Sequence, residues 1–210
     1  MQSELINIVN EQREPIGVAT REEIHKQGYW HEVFHCWLVN NIDNVDYIYL
    51  QLRSEKKRDY PNLLDITAAG HLLSDETVED GVREVNEELG IDISYEELIS
   101  LGVVDYEVTH GQLIDKEFAH VHVHRFNGEL DEFSLQREEV AGVFMVRFDD
   151  FYEMWTSNKN DIDIQGFVLD EQGYRIEMQK KVGREQFVPH NEVFYQKILG
   201  RIKEVLENEA

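Results

Sequence analysis

Alternating apolar and polar residues recur in short runs along this chain and predict strands separated by turns. The first half predicts two hairpins, formed by Leu5–Val9 with Ile16–Ala19 and by Val33–Asn40 with Tyr47–Arg53. Between the two hairpins, Thr20 is suited to cap a short helix that runs to about Lys26. The segment Lys56–Leu64 contains a proline and adjacent basic residues, so it predicts a loop.

The second half of the chain continues with strands and ends in a helix. Further strands are predicted over Leu101–Val108, Phe118–Phe126 and Val143–Phe148, and a late hairpin over Asp163–Leu169 and Tyr174–Gln179. Helices are predicted over Asp149–Ser157 and Asn191–Asn208. This order of elements predicts a mixed β-sheet with helices packed on it, in the α/β or α+β class.

One predicted helix, Thr77–Leu89, carries two different faces. Its apolar positions recur at helical spacing and form one stripe, made of Val78, Val82, Val85 and Leu89. Glu84, Glu87 and Glu88 lie at positions i, i+3 and i+4 on another face, so their carboxylates converge. Such carboxylates repel one another, and oxygen ligands select a hard cation such as Mg²⁺ or Mn²⁺. The helix by itself leaves two interpretations open, a metal site and a solvated acidic face.

The composition excludes several kinds of partner. The chain has 210 residues, which suits one domain with extensions, and its hydrophobic fraction of 41% is enough to form a core. No apolar run is long enough to span a membrane. The net charge of −23 repels phosphate backbones and anionic lipids, so neither a nucleic-acid polymer nor a membrane is an expected partner. Cys36 is the only cysteine, which fits a cytoplasmic location.

The residues around the glutamate helix resemble the Nudix box. Arg83–Ile91 reproduces the C-terminal half of that motif, Arg-Glu-apolar-x-Glu-Glu-x-Gly-apolar. Gly70–Glu76 is similar to its N-terminal half, with one residue fewer before the arginine, so either Asp75 or Glu76 pairs with Arg83. The resemblance implies a Nudix fold, in which a mixed sheet is sandwiched between helices. It also implies that Mg²⁺ or Mn²⁺ is bound by Glu84, Glu87 and Glu88.

A longer resemblance, over about residues 5–126, links the chain to the isopentenyl-diphosphate isomerases, a branch of the Nudix family. It rests on Asn10-Glu11-Gln12 with Pro15 and Gly17, and on His31-x-x-Phe34-x-x-Trp37-Leu38-x-Asn40. In those enzymes, cations hold the diphosphate of the substrate. The resemblance implies the same contacts here for Arg21, Arg53 and Lys57, of which Lys57 could equally belong to a solvated charged turn.

The same resemblance extends to a set of histidines and acids. His25, His31 and His71 fall on the metal-binding histidines of the isomerases, and Asp115 and Glu117 fall on their acidic pair. A metal centre with these ligands is therefore implied. The competing interpretation is that the histidines are structural residues whose ring nitrogens are satisfied by hydrogen bonds.

Two features separate a hydrolase from an isomerase. The isomerases carry a catalytic cysteine directly before the Gly-His pair, where this chain has Ala69, and a methyl group cannot transfer a proton. Their box has also lost most of the glutamates that this chain keeps.

We therefore predict a metal-dependent hydrolase of a diphosphate linkage in a small phosphorylated metabolite of the nucleoside diphosphate type. The alternatives are an isopentenyl-diphosphate isomerase and a noncatalytic Nudix-fold binding module. The predicted catalytic residues are Glu84, Glu87, Glu88 and Glu117, the last as an additional ligand or a general base.

We expect residues 1–150 to form a Nudix domain with an N-terminal hairpin extension. Residues 151–210 are expected to pack on the same domain as a strand and helix extension, which could form a lid, a homodimer contact or an additional layer. His190 could reach the site from this extension. A loop over the substrate is expected to carry the aromatic residues Tyr29, Trp30, Tyr60 and Tyr106.

Overall fold

A computed structural model describes residues 4–111, 113–157 and 159–208 of the chain, with the side chain of residue 110 excepted. The strands are β1 (Leu5–Val9), β2 (Pro15–Thr20), β3 (Trp30–Ile42), β4 (Val45–Arg53), β5 (Leu64–Asp65), β6 (Ala68–His71), β7 (Ile99–His110), β8 (Leu113–Arg125), β9 (Val140–Arg147), β10 (Asp161–Leu169) and β11 (Arg175–Gly183). The helices are α1 (Arg21–Gln27), α2 (Arg83–Leu89), α3 (Phe148–Thr156) and α4 (Glu192–Asn208). Among the described residues, no helix is long and apolar enough to cross a membrane.

A single mixed sheet forms the centre of the molecule. Its main path runs β11-β10-β9-β4-β3-β1-β2, with β5 paired to β4, β6 and β8 paired to β3, and β7 paired to β8. One apolar core lies between the sheet and helices α3 and α4, and a second core lies on the side of α2. The mixed sheet sandwiched between helices is therefore confirmed, and so are both N-terminal hairpins and the late hairpin.

Strand β3 brings distant segments of the chain together. His31 pairs with Glu117 in the parallel β3–β8 ladder, and Val33 pairs with His71 in the antiparallel β3–β6 ladder. Alternate residues of a strand face the same side of the sheet, so His31, Val33 and His35 share a face. The registers of two ladders thus place the predicted histidine and glutamate positions beside one another.

The helix that carries the glutamates is shorter than the sequence pattern predicts. The predicted helix begins at Thr77, whereas α2 begins at Arg83 after a 3₁₀ turn over Asp80–Val82. Thr77 donates from both its backbone N and its Oγ1 to Asp80 Oδ2, which closes a turn in place of the first helical turns. Gly81 packs directly on Phe34, where a Cβ would lie 2.7 Å from the Phe34 side chain. Tight packing on β3 therefore overrides the helical periodicity before Arg83.

The C-terminal segment continues the same sheet. Strands β10 and β11 extend it beyond β9, and α3 packs against α4 over the first core. Phe194, Ile198 and Ile202 recur at helical spacing on α4 and are fully or almost fully buried, so this face of the helix packs on the core. The division of the chain at residue 150 stays a prediction.

Candidate active site

A cavity of about 630 Å³ gathers side chains from α1, α2, strands β3, β4, β6, β7 and β8, and the segment before α4. Acidic side chains outnumber basic ones in its lining. An anionic ligand would therefore need cations to enter it. The predicted site residues that line the cavity are Arg21, His25, Arg53, Lys57, His71, Glu84, Glu87, Glu88, Asp115 and Glu117.

Arg83 organises the acidic side of the cavity. Its Nε and Nη2 donate to the two carboxylate oxygens of Glu76 at 2.5 and 2.9 Å, which is a bidentate ion pair. Its Nη1 donates to Glu84 at 2.6 Å and to Glu87 at 3.2 Å. Glu76, and not Asp75, is thus the partner of Arg83. Arg83 Nη1 thus contacts both Glu84 and Glu87, and among the described residues the ligand atoms of Glu84, Glu87 and Glu88 do not all lie within 4.8 Å of one another, so the three carboxylates converge less than their spacing predicts.

Two of these glutamates are deeply placed. Glu88 is 4% exposed and accepts hydrogen bonds from Gln51 Nε2 at 3.1 Å and from the backbone N of Ala69 at 3.2 Å. Burial raises the pKa of Glu84 to about 7, and burial together with the charge of Glu84 raises that of Glu88 to about 8. Glu87 is half exposed at the rim. A cation bound here would offset the burial and the repulsion that oppose ionisation of Glu84 and Glu88, so these oxygen donors fit Mg²⁺ or Mn²⁺.

Gly70 leaves the space that the Glu84 carboxylate occupies. A Cβ at Gly70 would lie 2.1 Å from Cδ of Glu84, so in Gly70→Ala this carboxylate must move. The fold should tolerate the change, because the obstructing atoms end a flexible side chain. We expect the affinity for Mn²⁺ to fall about 10- to 100-fold, as measured by calorimetric titration. The control is Gly17→Ala on β2, where the nearest atom is 4.0 Å away. Equal affinities of Gly70→Ala and the wild type would remove Glu84 from the metal site.

A second cluster adjoins the first. The imidazole rings of His25, His31 and His71 lie 5.2–5.4 Å from one another. Asp115 Oδ1 lies 3.3 Å from His25 Nε2 and 3.6 Å from His31 Nε2, and Glu117 Oε1 lies 3.8 Å from His31 Nε2. The predicted histidines and acids are therefore brought together in two groups that share His31, one with His25 and His71 and one with Asp115 and Glu117, and the ligand atoms within each group are close enough to share an ion.

The hydrogen bonds of this cluster suit a cation. His31 Nδ1 lies 3.1 Å from the carbonyl of Tyr29, so in the neutral ring Nδ1–H donates and Nε2 keeps a lone pair. Burial lowers the pKa of His31 to about 4 and that of His71 well below its ordinary value, so both rings stay neutral. Among the described residues, His31 Nε2 and Asp115 Oδ1 are buried and have no hydrogen-bond partner. A bound cation would satisfy both atoms.

Glu117 and Tyr106 form a buried pair beside this cluster. Tyr106 Oη donates a short hydrogen bond to Glu117 Oε2. Burial and the nearby charge of Asp115 raise the pKa of Glu117 well above its ordinary value. The prediction that Tyr106 lies on a substrate-covering loop is wrong, because Tyr106 is a buried residue of β7. Trp30 also belongs to a strand, β3, and its ring stacks on that of Phe118 with centroids 4.6 Å apart.

The three predicted phosphate-binding cations all line the cavity, and each is paired with an acid. Arg21 Nη2 lies 3.1 Å from Asp59, and Arg53 Nη1 donates to Asp65 at 2.9 Å. Lys57 forms a short ion pair with Glu139. These pairs fix the positions of the cations, and a phosphate group would have to compete with the acids for them.

Sequence reasoning missed two residues of the cavity. His35 is 3% exposed, and burial lowers its pKa to about 3. Its position two residues beyond Val33 on the face of His31 was the signal that could have identified it. Asp65, a lone acid in the apolar run Leu63–Ile66, lies at the base of the cavity. His190 reaches the cavity from the C-terminal segment, as the sequence suggested, and lies 3.0 Å from Asp65.

Comparison with known proteins identifies the family of this chain. The profile of the NUDIX domain matches residues 29–164. An uncharacterized Nudix hydrolase of Clostridium acetobutylicum is 36% identical over 95% of this chain and 97% of its own length. An isopentenyl-diphosphate Delta-isomerase of Photorhabdus laumondii is 29% identical over 62% of this chain and 74% of its own. A crystal structure from Deinococcus radiodurans shares the fold, with a TM-score of 0.52 at 19% identity, over 74% of this chain and 91% of that one. This chain belongs to the Nudix hydrolase family.

Proposed function

We propose that this protein hydrolyses a diphosphate linkage in a small phosphorylated metabolite of the nucleoside diphosphate type, with Mg²⁺ or Mn²⁺ as cofactor. The observation that carries the proposal is the pair of carboxylates on α2, the partly buried Glu84 and the buried Glu88, which face an acidic cavity beside the exposed Glu87. Such a cavity binds a diphosphate only together with divalent cations.

Two donor sets would hold the ions. The oxygens of Glu84, Glu87 and Glu88 suit Mg²⁺, whereas the histidine cluster with Asp115 and Glu117 offers nitrogen as well as oxygen and suits Mn²⁺. When bound, the cations would neutralise the diphosphate and lower the pKa of water. In the reaction, water adds to one phosphorus, the bridging P–O bond breaks, and a proton reaches the leaving phosphate.

The side chains of the cavity would bind the substrate and orient the carboxylates. Arg21, Arg53 and Lys57 hold the remaining negative charge, and Arg83 keeps Glu84 and Glu87 in place. Glu117 is either an additional ligand or the general base that takes a proton from the attacking water. Its hydrogen bond from Tyr106 holds the carboxylate in one orientation. The net charge of −23 supports a small-molecule partner rather than a nucleic-acid polymer, and the single cysteine supports a cytoplasmic location. A homodimer stays a prediction.

The second candidate is an isopentenyl-diphosphate isomerase. It is favoured by the histidine cluster, by Glu117 and by the 29% identical relative with that activity. It is opposed by Ala69, which offers no group that transfers a proton. The intact glutamates of α2 favour hydrolysis.

A substrate panel separates the two candidates. Nucleoside diphosphates and triphosphates, diphosphate sugars and isopentenyl diphosphate would be incubated with Mg²⁺, with Mn²⁺ or with EDTA. We expect release of phosphate or of a nucleoside monophosphate that requires the metal and is abolished by EDTA. If isopentenyl diphosphate were converted to dimethylallyl diphosphate without phosphate release, the hydrolase proposal would be replaced by the isomerase.

A further inference from the structure

A pair formed by the buried Asp65 and the partly buried His190 lies on the side of the cavity that Tyr106 lines. His190 Nε2 is 3.0 Å from Asp65 Oδ1, which also accepts the backbone N–H of Ile66 at 2.9 Å. The other oxygen, Oδ2, accepts from Arg53 Nη1 at 2.9 Å. Asp65 is 5% exposed, so both of its oxygens are occupied in a buried setting. The acceptor that orients His190 is therefore rigid.

Aromatic rings hold the imidazole on its other sides. The ring of His190 stacks on Phe194 with centroids 4.9 Å apart and meets the edges of Tyr106 and Tyr195 at 5.5 and 5.6 Å. Phe194 and Tyr195 begin the core face of α4. The C-terminal helix thus fixes one side chain of the cavity, and His190 cannot change rotamer without disturbing that packing.

The free nitrogen of this ring is an acceptor. In its neutral form the imidazole donates Nε2–H to the Asp65 carboxylate, which leaves a lone pair on Nδ1. No hydrogen bond among the described residues reaches Nδ1, and the side chain lines the cavity. His35 lines the same wall, and its Nδ1 is buried without a hydrogen-bond partner among the described residues. This wall offers polar atoms to a ligand, in addition to the carboxylates that bind metal.

We infer that His190 Nδ1 accepts a hydrogen bond from the organic group of the substrate, and that this group carries a hydroxyl or amino donor, as ribose does. The inference rests on the proposed function and narrows its substrate class. A hydrocarbon chain on this wall would cover Nδ1 and leave it unpaired, which costs binding energy. A donor on the substrate satisfies it, and sites of this kind reject analogues that lack the donor.

Two isosteric variants separate contact with the substrate from a purely structural role. In His190→Asn, the amide oxygen takes the place of Nδ1 but the bond to Asp65 is lost. In His190→Gln, the amide nitrogen takes the place of Nε2 and keeps the bond to Asp65, but no acceptor remains at Nδ1. The substrate used is the ribose-bearing diphosphate that the wild type hydrolyses best. On it, we expect His190→Gln to lose about 10- to 100-fold in kcat/KM, mostly through KM, and His190→Asn to lose less.

The matched control is His124→Gln on β8, whose side chain does not line the cavity. A second readout does not need turnover. Nitrogen NMR of ¹⁵N-histidine-labelled wild type should show His190 as the Nε2–H tautomer, with Nδ1 shifting when the non-hydrolysed methylene analogue of the same substrate binds.

The outcomes separate the inference from the proposed function. The inference is supported if the wild type hydrolyses ribose-bearing diphosphates and His190→Gln loses more kcat/KM than His190→Asn. If His190→Gln retained as much kcat/KM as His190→Asn or more, the inference alone would be overturned. Turnover confined to hydrocarbon diphosphates would overturn both the inference and the nucleoside diphosphate part of the proposed function, but would leave metal-dependent hydrolysis standing. The absence of metal-dependent turnover of any diphosphate overturns the proposed function, and the inference with it.

Discussion

Glu88→Gln is expected to reduce metal-dependent turnover by on the order of 10³-fold, because a ligand that supplies several kcal/mol of transition-state stabilisation is removed. The glutamine keeps an amide oxygen that can accept from Gln51 Nε2 and from the backbone N of Ala69. The fold should therefore survive. Initial rates with saturating Mg²⁺, together with thermal unfolding in EDTA, measure both effects. The control is Glu79→Gln, an exposed acid that precedes α2 and does not line the cavity.

The stability of the metal-free protein should depend on pH through the ionisation of Glu88. The pKa of Glu88 is raised to about 8 from an ordinary value of 4.5. As the pH rises, the Glu88 carboxyl therefore loses its proton at a lower pH in the unfolded chain than in the folded protein. The metal-free wild type therefore loses stability from about pH 4.5 to about pH 8. The glutamine of Glu88→Gln does not ionise, so the Tm of this variant minus that of the wild type should increase from about pH 4.5 to about pH 8. Full Mg²⁺-dependent activity in the variant would show that Glu88 is not a metal ligand.

Asp65→Ala is expected to destabilise the protein by about 3–5 kcal/mol, because one partner of a buried ion pair is removed. The substitution leaves the Arg53 guanidinium, whose side chain is 14% exposed, without its carboxylate, and it leaves His190 without its orienting acceptor. Urea unfolding followed by tryptophan fluorescence measures the change. The control is Asp163→Ala, whose ion pair with Lys181 is exposed and should contribute far less to stability. Equal losses in the two variants would refute the buried-pair argument.

The dependence on pH gives a second check on Asp65. Burial opposes ionisation of Asp65, but the hydrogen bond from His190 and the charge of Arg53 prevail and hold its pKa below the ordinary value of 3.8. A lowered carboxyl pKa stabilises the fold above the ordinary value and ceases to do so as the pH falls towards the folded value. The difference in unfolding free energy between wild type and Asp65→Ala should therefore be largest near neutral pH and shrink below about pH 4.

Local features of the protein could be predicted from its sequence because they depend on residues close together in the chain. Period-two alternation predicted the hairpins, and Thr20 with Glu23 forms the capping box that begins α1. The spacing of Glu84, Glu87 and Glu88 placed them on one face of a helix, and the motif around them identified the family. The acidic cavity wall therefore follows largely from a single stretch of sequence.

Only the tertiary structure decided how distant residues meet. The parallel register of β3 and β8 sets His31 beside Glu117, and the path of the C-terminal segment along β5 sets His190 beside Asp65. Packing of Gly81 on Phe34 shortened the glutamate helix. The course of the preceding loop places Glu76, rather than Asp75, where it pairs with Arg83. Local periodicity specifies which face of an element is apolar, but it does not specify strand register or loop closure. Those are set by side-chain packing between elements that are far apart in the chain.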